Sequence, residues 1–187
     1  QGVDLLLESL PLARQQGANI DLVIAGGRAD DIETYRRKAE SLGVGPFVHF
    51  IGPWPAAQLG RLLASAAFLV EPRIKGVNTP MKIFPYLHSG RPVLVTDLPT
   101  HSQVLDDSVA MLAPPEPNGF ARAMYELAAD EQLRHRLGAA GKRLVQTNHT
   151  YPQHETRVNR LYDLVRTRAD QRAQPADALS LKQGAIL

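Results

Sequence analysis

The feature that most constrains this chain is a repeated switch of apolar period, in which short continuous apolar runs alternate with stretches of helical spacing. Short runs without polar alternation are strands buried on both faces, and helices between them are the crossovers of a parallel sheet. Val3, Leu6, Leu7 and Leu10 share one stripe of a first helix that stops near Gly17. Ile20 to Ala25 reads as a strand closed by Gly26 and Gly27, and Asp30 and Asp31 offer N-caps to a helix carrying Ile32, Tyr35, Ala39 and Leu42. The unit then recurs: strand 47–51, helix 56–66, strand 67–71, helix 81–87, strand 92–96 and strand 109–113. Helices are expected over 119–129 and 131–146, then from Tyr151 to about Ala169. From Gln171 the periodicity is lost, and Pro175, Ser180 and Gly184 suggest a disordered tail over 171–187. The expected fold is therefore α/β, a doubly wound parallel sheet with helices on both faces, within one domain of residues 1–170.

Composition narrows the function classes. With 187 residues the chain can bury a core without staples, and with no Cys it has neither disulfide nor thiolate chemistry. A formal charge of +2, without a block of Lys and Arg, does not describe a nucleic-acid binder. The longest nearly apolar run, Leu62 to Val70, is far too short to span a membrane. Gln1-Gly2-Val3-Asp4 has neither initiator Met nor signal peptide, so a fragment of a longer polypeptide is expected. The histidines at 49, 88, 101, 135, 149 and 154 show no metal-ligand spacing, and Asp106-Asp107 reads as a turn. No Ser/His/Asp arrangement is recognisable.

In doubly wound sheets ligands bind at the carboxyl ends of strands, which directs attention to the loops after Ala25, Ile51, Glu71 and Thr96. Gly26 and Gly27 allow backbone amides to approach a phosphate or sugar, though they equally suit a tight turn. The acidic pair at 30 and 31 argues against a dinucleotide fingerprint. The backbone of Phe50, Ile51 and Gly52 can hold a nucleobase by stacking and amide contacts, whereas Trp54 reads as surface packing. The richest segment runs from Pro72 to Phe84. Thr79 suits an N-cap and Pro80 the first helical position, so the helix amides should face the crevice. Arg73, Lys75 and Lys82 add formal charge to that helix end, an anion site suited to a diphosphate. Lys82 is the most informative, because the dipole disfavours Lys in a first turn unless an anion compensates. His101, in another carboxyl-end loop, could face a sugar.

The blocks V-D-L-L-L-E-S-L, L-V-I-A-G-G, V-H-F-I-G, N-T-P-M-K-I-F-P-Y-L-H-S-G-R-P-V-L-V-T-D-L-P-T-H and Y-P-Q-H-E-T-R-V-N-R-L-Y occur in this order. Their series resembles the C-terminal, donor-binding half of GT-B glycosyltransferases, the retaining group-1 (family 4) enzymes, over roughly residues 2–165. The resemblance implies a Rossmann-like nucleotide-sugar-binding domain, one half of a GT-B fold, whose partner is a nucleotide sugar. The base would lie against Phe50, Ile51 and Gly52. The diphosphate and sugar would lie against Gly26, Gly27, Arg73, Lys75, Gly76, Asn78, Thr79, Met81 and His101. Lys82 would be the catalytic cation. No cofactor and no metal are implied, since amides and side-chain cations would neutralise the leaving group. An N-terminal acceptor-binding domain is expected to complete a cytoplasmic enzyme, with peripheral membrane contact open to the full-length protein. The chain departs from the family at two points. Where many members carry paired glutamates it has Val77 and Pro85, and the family's basic residues before K-G-V-D fall at or before Gln1. A non-catalytic nucleotide-sugar-binding module and a GT-B-type epimerase are the alternatives.

Overall fold

A computed structural model describes residues 1–173. They fall into two compact units, Gln1–Thr147 and a second beginning at Asn148. The first unit holds α1 (Val3–Gln15), β1 (Leu22–Ala25), α2 (Ala29–Ser41), β2 (Val48–Gly52), α3 (Leu59–Ser65), β3 (Leu69–Glu71), α4 (Ile83–His88), β4 (Val93–Thr96), α5 (Pro99–Ser102), β5 (Met111–Ala113), α6 (Pro117–Ala129) and α7 (Glu131–Asn148). Short 3₁₀ turns at 45–47 and 56–58 precede β2 and α3.

All three strand pairings are parallel: β1 with β2, and β3 with β4 with β5. The alternation along β4 shows why helices cover both faces. Leu94 belongs to the core built from Leu7 and Leu10 of α1 and Phe120 and Leu127 of α6. Its neighbours Val93 and Val95 point into a second core with Ile83 and Leu87 of α4 and Val145 of α7. Successive residues of a strand face opposite sides, so a strand apolar at every position needs two helical layers. Glu116 caps α6 by accepting the Gly119 amide at 2.8 Å, with Pro117 in the first turn. Asp130 Oδ1 accepts the Leu133 amide at 2.8 Å at the start of α7.

Two expected caps are not formed. Arg28 takes the N-cap position of α2, which places Asp30 and Asp31 within the first turn, where carboxylates favour the dipole. The helix expected from Met81 begins at Ile83 instead. The helix expected over 56–66 divides into a 3₁₀ turn and α3. In the second unit, α8 (Tyr151–Ala173) presents Leu161, Tyr162, Leu164 and Val165 exposed. The tail expected over 171–187 lies outside the described residues from 174 onward. No helix among the described residues is long and apolar enough to cross a membrane.

Candidate anion site at the carboxyl ends of the strands

The first helix is brought against the end of β3 by one glycine. Gly2, the N-cap of α1, has φ +79°, and a Cβ there would stand 1.9 Å from the Pro72 carbonyl oxygen. Only glycine permits this contact, which carries Gln1 to the loop following β3. Gln1 Oε1 accepts a hydrogen bond from Lys82 Nζ at 2.8 Å.

Glu71, the last residue of β3, is fully buried. Its Oε2 lies 2.8 Å from Lys82 Nζ, and its Oε1 lies 3.8 Å from Arg73 Nε. Lys82 is thus compensated from within the protein, by a carboxylate rather than by a ligand alone. The loop carrying Arg73 to Thr79 is braced by the segment after β4. Thr96 Oγ1 donates to the Arg73 carbonyl at 2.5 Å and Thr100 Oγ1 to the Asn78 carbonyl at 2.6 Å. Gln103 Nε2 donates to Thr79 Oγ1 at 2.5 Å. Two carboxyl-end loops are therefore locked together without strand pairing.

The local structure corrects two roles. Thr79 caps no helix: its hydroxyl accepts from Gln103, and residues 80–84 make tight turns in which Ile83 N donates to Pro80 O and Phe84 N to Met81 O. The six residues of α4 leave too short a dipole to make an anion site, so positive potential here comes from side chains. Lys82 stands at the N-cap position itself. His101, expected to face a sugar, is fully buried. The Thr96 carbonyl can only accept, so His101 Nδ1 carries the proton and donates to it at 2.8 Å, with Thr96 Oγ1 at 3.1 Å. Nε2 then presents a lone pair, buried and without a donor.

Burial lowers the His101 pKa below the ordinary imidazole value, ahead of an opposing contribution from the Thr96 carbonyl. The unfolded chain binds this proton more readily than the folded one. Above the unfolded value of about 6.5 the group adds no pH dependence, and stability falls as pH drops through it toward the lower folded value. Thermal melts at pH 7.5 and 5.5 should therefore show a larger loss in the native chain than in His101→Asn, whose amide can replace the Nδ1 donor. Equal losses would show that His101 does not titrate in this window.

The other expected residues are placed as follows. Gly26 N donates to Gly52 O at 2.6 Å, so the glycine following β1 meets the one ending β2. Phe50 and Ile51 are half-buried, and Trp54 is partly exposed. Lys75, Gly76, Asn78 and Met81 are exposed, as is Val77 at 82%. Arg73 Nη1 reaches the Asn78 carbonyl at 3.4 Å. Among the described residues no hydrogen bond or ion pair joins the Gly26–Gly52 pair to the Arg73–Lys82 cluster. An open hollow of about 360 Å³ lies between α2 and β2 and includes Phe50 but none of the three cations. Asp106 Oδ1 accepts the Ser108 amide at 2.9 Å, a turn of the kind expected there. Among the described residues no three His, Asp or Glu side chains converge on a point that could hold a metal ion. Sequence reasoning missed Glu71, Thr96, Thr100 and Gln103. For Glu71 a signal existed, since a charge directly after Phe68, Leu69 and Val70 interrupts a buried run.

Comparison with known proteins agrees with this architecture. The family described as glycosyl transferases group 1 matches residues 1–130. A phosphatidyl-myo-inositol mannosyltransferase of Mycobacterium leprae (strain TN) is 26% identical over 169 residues, 89% of this chain and 44% of that protein. The chain thus spans less than half the length of this curated relative. Sucrose-phosphate synthase from Thermosynechococcus elongatus superposes with a TM-score of 0.71 at 22% identity, over 86% of this chain and 42% of that one. The C-terminal domain of a glycosyl transferase group 1 family protein from Francisella tularensis superposes with a TM-score of 0.69 at 18% identity, over 80% of each chain. These likenesses place the α/β architecture among GT-B proteins, and the match over residues 1–130 shows that the chain belongs to the glycosyl transferases group 1 family.

Proposed function

We propose that this chain is the donor-binding half of a retaining glycosyltransferase that takes a sugar from a nucleotide-diphosphate sugar. The observation that carries this reading is Lys82, a half-exposed ammonium at the carboxyl end of the sheet with Arg73 beside the same carboxylate. The β2 end, with Phe50, Ile51 and Gly52, supplies the base-binding backbone, and Gly26, Gly27, Gly76, Asn78, Thr79 and Met81 line the loops the donor would meet. A related Anabaena structure, at 16% identity and a TM-score of 0.63, was solved in complex with UDP, which supports a nucleoside diphosphate as the ligand class.

In the reaction, the bond between the sugar's anomeric carbon and the phosphate oxygen breaks, and its electron pair stays on the diphosphate. A cation already fixed near that oxygen stabilises the transition state more than the ground state. Lys82 takes this role in the proposal, with Arg73 and the exposed Lys75 adding to the field. Acceptor binding falls to a second domain, and the cytoplasmic setting and metal-free chemistry belong to the same proposal. Val77 favours a second reading, a nucleotide-sugar-binding module without transfer activity. Its exposed side chain offers no hydrogen bond where many relatives carry a glutamate.

Calorimetry of the chain with UDP, GDP and ADP tests the proposal. Weak binding of at least one diphosphate, unchanged by chelator, and no sugar transfer by this chain alone are expected. Binding that disappears with chelator would overturn the metal-free part, and no binding of any of the three would overturn the donor-site assignment.

A further inference from the structure

Glu71 is the one fully buried carboxylate among the described residues. Neither of its oxygens has a hydrogen-bond partner among the described residues. Its compensation comes from Lys82 Nζ at 2.8 Å and Arg73 Nε at 3.8 Å. A carboxylate held this way is a poor device for stability, because burying the pair loses hydration that an apolar residue would never need. The strand position itself calls for an apolar side chain, as at Leu69 and Val70.

The geometry on the Lys82 side suggests what the carboxylate does. An ammonium has three N–H donors. One is donated to Gln1 Oε1 at 2.8 Å, from the start of α1, while Glu71 Oε2 at the end of β3 holds the ammonium as an ion pair at 2.8 Å without a hydrogen bond. No further acceptor meets it among the described residues, and the side chain is 40% exposed. A lysine stem that would otherwise sample many rotamers is held from two directions, by one hydrogen bond and one ion pair, with N–H donors left over.

We infer that Glu71 is a positioning residue of the donor site, holding the Lys82 ammonium so that a free N–H meets a phosphate oxygen of a nucleoside diphosphate. The inference rests on the donor-site reading above and adds to it the residue that orients the cation. Glu71 touches no ligand. It acts by removing the freedom of Lys82 before the ligand arrives, so the ordering is not charged against binding. Its negative charge also repels a phosphate, and the sign of the effect on removing it shows which influence dominates.

The test is a double-mutant cycle on this chain, read by calorimetry with UDP and with uridine. Glu71→Gln should weaken UDP binding about fivefold or more while uridine binding stays within about twofold, and Glu71→Asp should fall between Gln and native. In a Lys82→Met background the same Glu71→Gln change should alter UDP binding by less than about twofold, because the group it orients is gone. Equal losses in both backgrounds, or tighter UDP binding by Glu71→Gln, would overturn the inference while leaving the donor site standing. Absence of UDP, GDP and ADP binding by the native chain would remove both. If Glu71→Gln fails to fold, nitrogen-15 NMR of the lysine ammonium groups in the native chain decides. A slowly exchanging Lys82 signal that moves on addition of UDP supports the inference, and a freely exchanging one overturns it.

Discussion

Lys82→Ala is expected to weaken UDP binding by about 10- to 100-fold and to leave uridine binding within about twofold. The magnitude follows from losing one charge-assisted hydrogen bond, worth about 1.5–3 kcal/mol, at about 1.4 kcal/mol per tenfold. The structure adds a complication that the sequence did not contain. Removing the ammonium leaves Glu71 buried with only Arg73 at 3.8 Å, so the variant should also melt earlier. Melting and binding are separable. In Glu71→Gln/Lys82→Met no buried carboxylate remains, the melt should recover, and UDP binding should stay weak. If affinity recovers together with the melt, the effect of Lys82→Ala was on folding, and Lys82 does not meet the phosphates. Arg73→Ala should have an intermediate effect, because its side chain is largely buried beside Glu71. Lys75→Ala should have the smallest, since Lys75 is exposed and water screens its field.

The strands were legible because they are buried on both faces and their apolar runs carry the signal directly. All five expected strands form, each within a few residues of its expected bounds. Helix starts were less legible. Thr79 and Pro80 look like a cap and a first-turn proline, yet the Thr79 hydroxyl is taken by Gln103, a residue 24 positions later. Local capping rules lose here to a hydrogen bond between loops, which only the assembled sheet supplies. The anion site shows the same division. Arg73 and Lys82 were visible as basic residues in a carboxyl-end loop, but their shared counterion is a strand residue that reads as sheet. His101 was singled out by position, and its burial follows from Thr96, whose carbonyl and hydroxyl both face its Nδ1. A loop residue turned inward has the same sequence signature as one turned toward a ligand.

Gly138→Ala is expected to destabilise the chain by about 2 kcal/mol, a fall in melting temperature of roughly 4–8 °C for a domain of this size. Gly138 is buried within α7, and an added Cβ would stand 2.1 Å from the Gly90 carbonyl oxygen and 3.3 Å from the Pro92 nitrogen. Both neighbours are backbone, so no side chain can swing aside and the helix itself must move. Alanine's better helix propensity, worth about 1 kcal/mol, offsets only part of this overpacking. Gly141, one turn on, would place its Cβ 2.7 Å from Leu87 Cδ2, a flexible side-chain end, and 3.1 Å from the Val109 carbonyl oxygen, a looser backbone approach than at Gly138, so Gly141→Ala should be milder. Gly60→Ala in α3 meets nothing within 4 Å and should be neutral or stabilising by up to about 1 kcal/mol. The order Gly138 worst, Gly141 intermediate and Gly60 best is the measurement that matters. It connects to the site because Gly90 to Pro92 leads directly into β4, whose last residue Thr96 holds the Arg73 carbonyl at 2.5 Å. A helix pushed outward at Gly138 should therefore also weaken UDP binding, though by less than Lys82→Ala. If Gly138→Ala melts like the native chain, α7 does not lie against the Gly90 turn in solution.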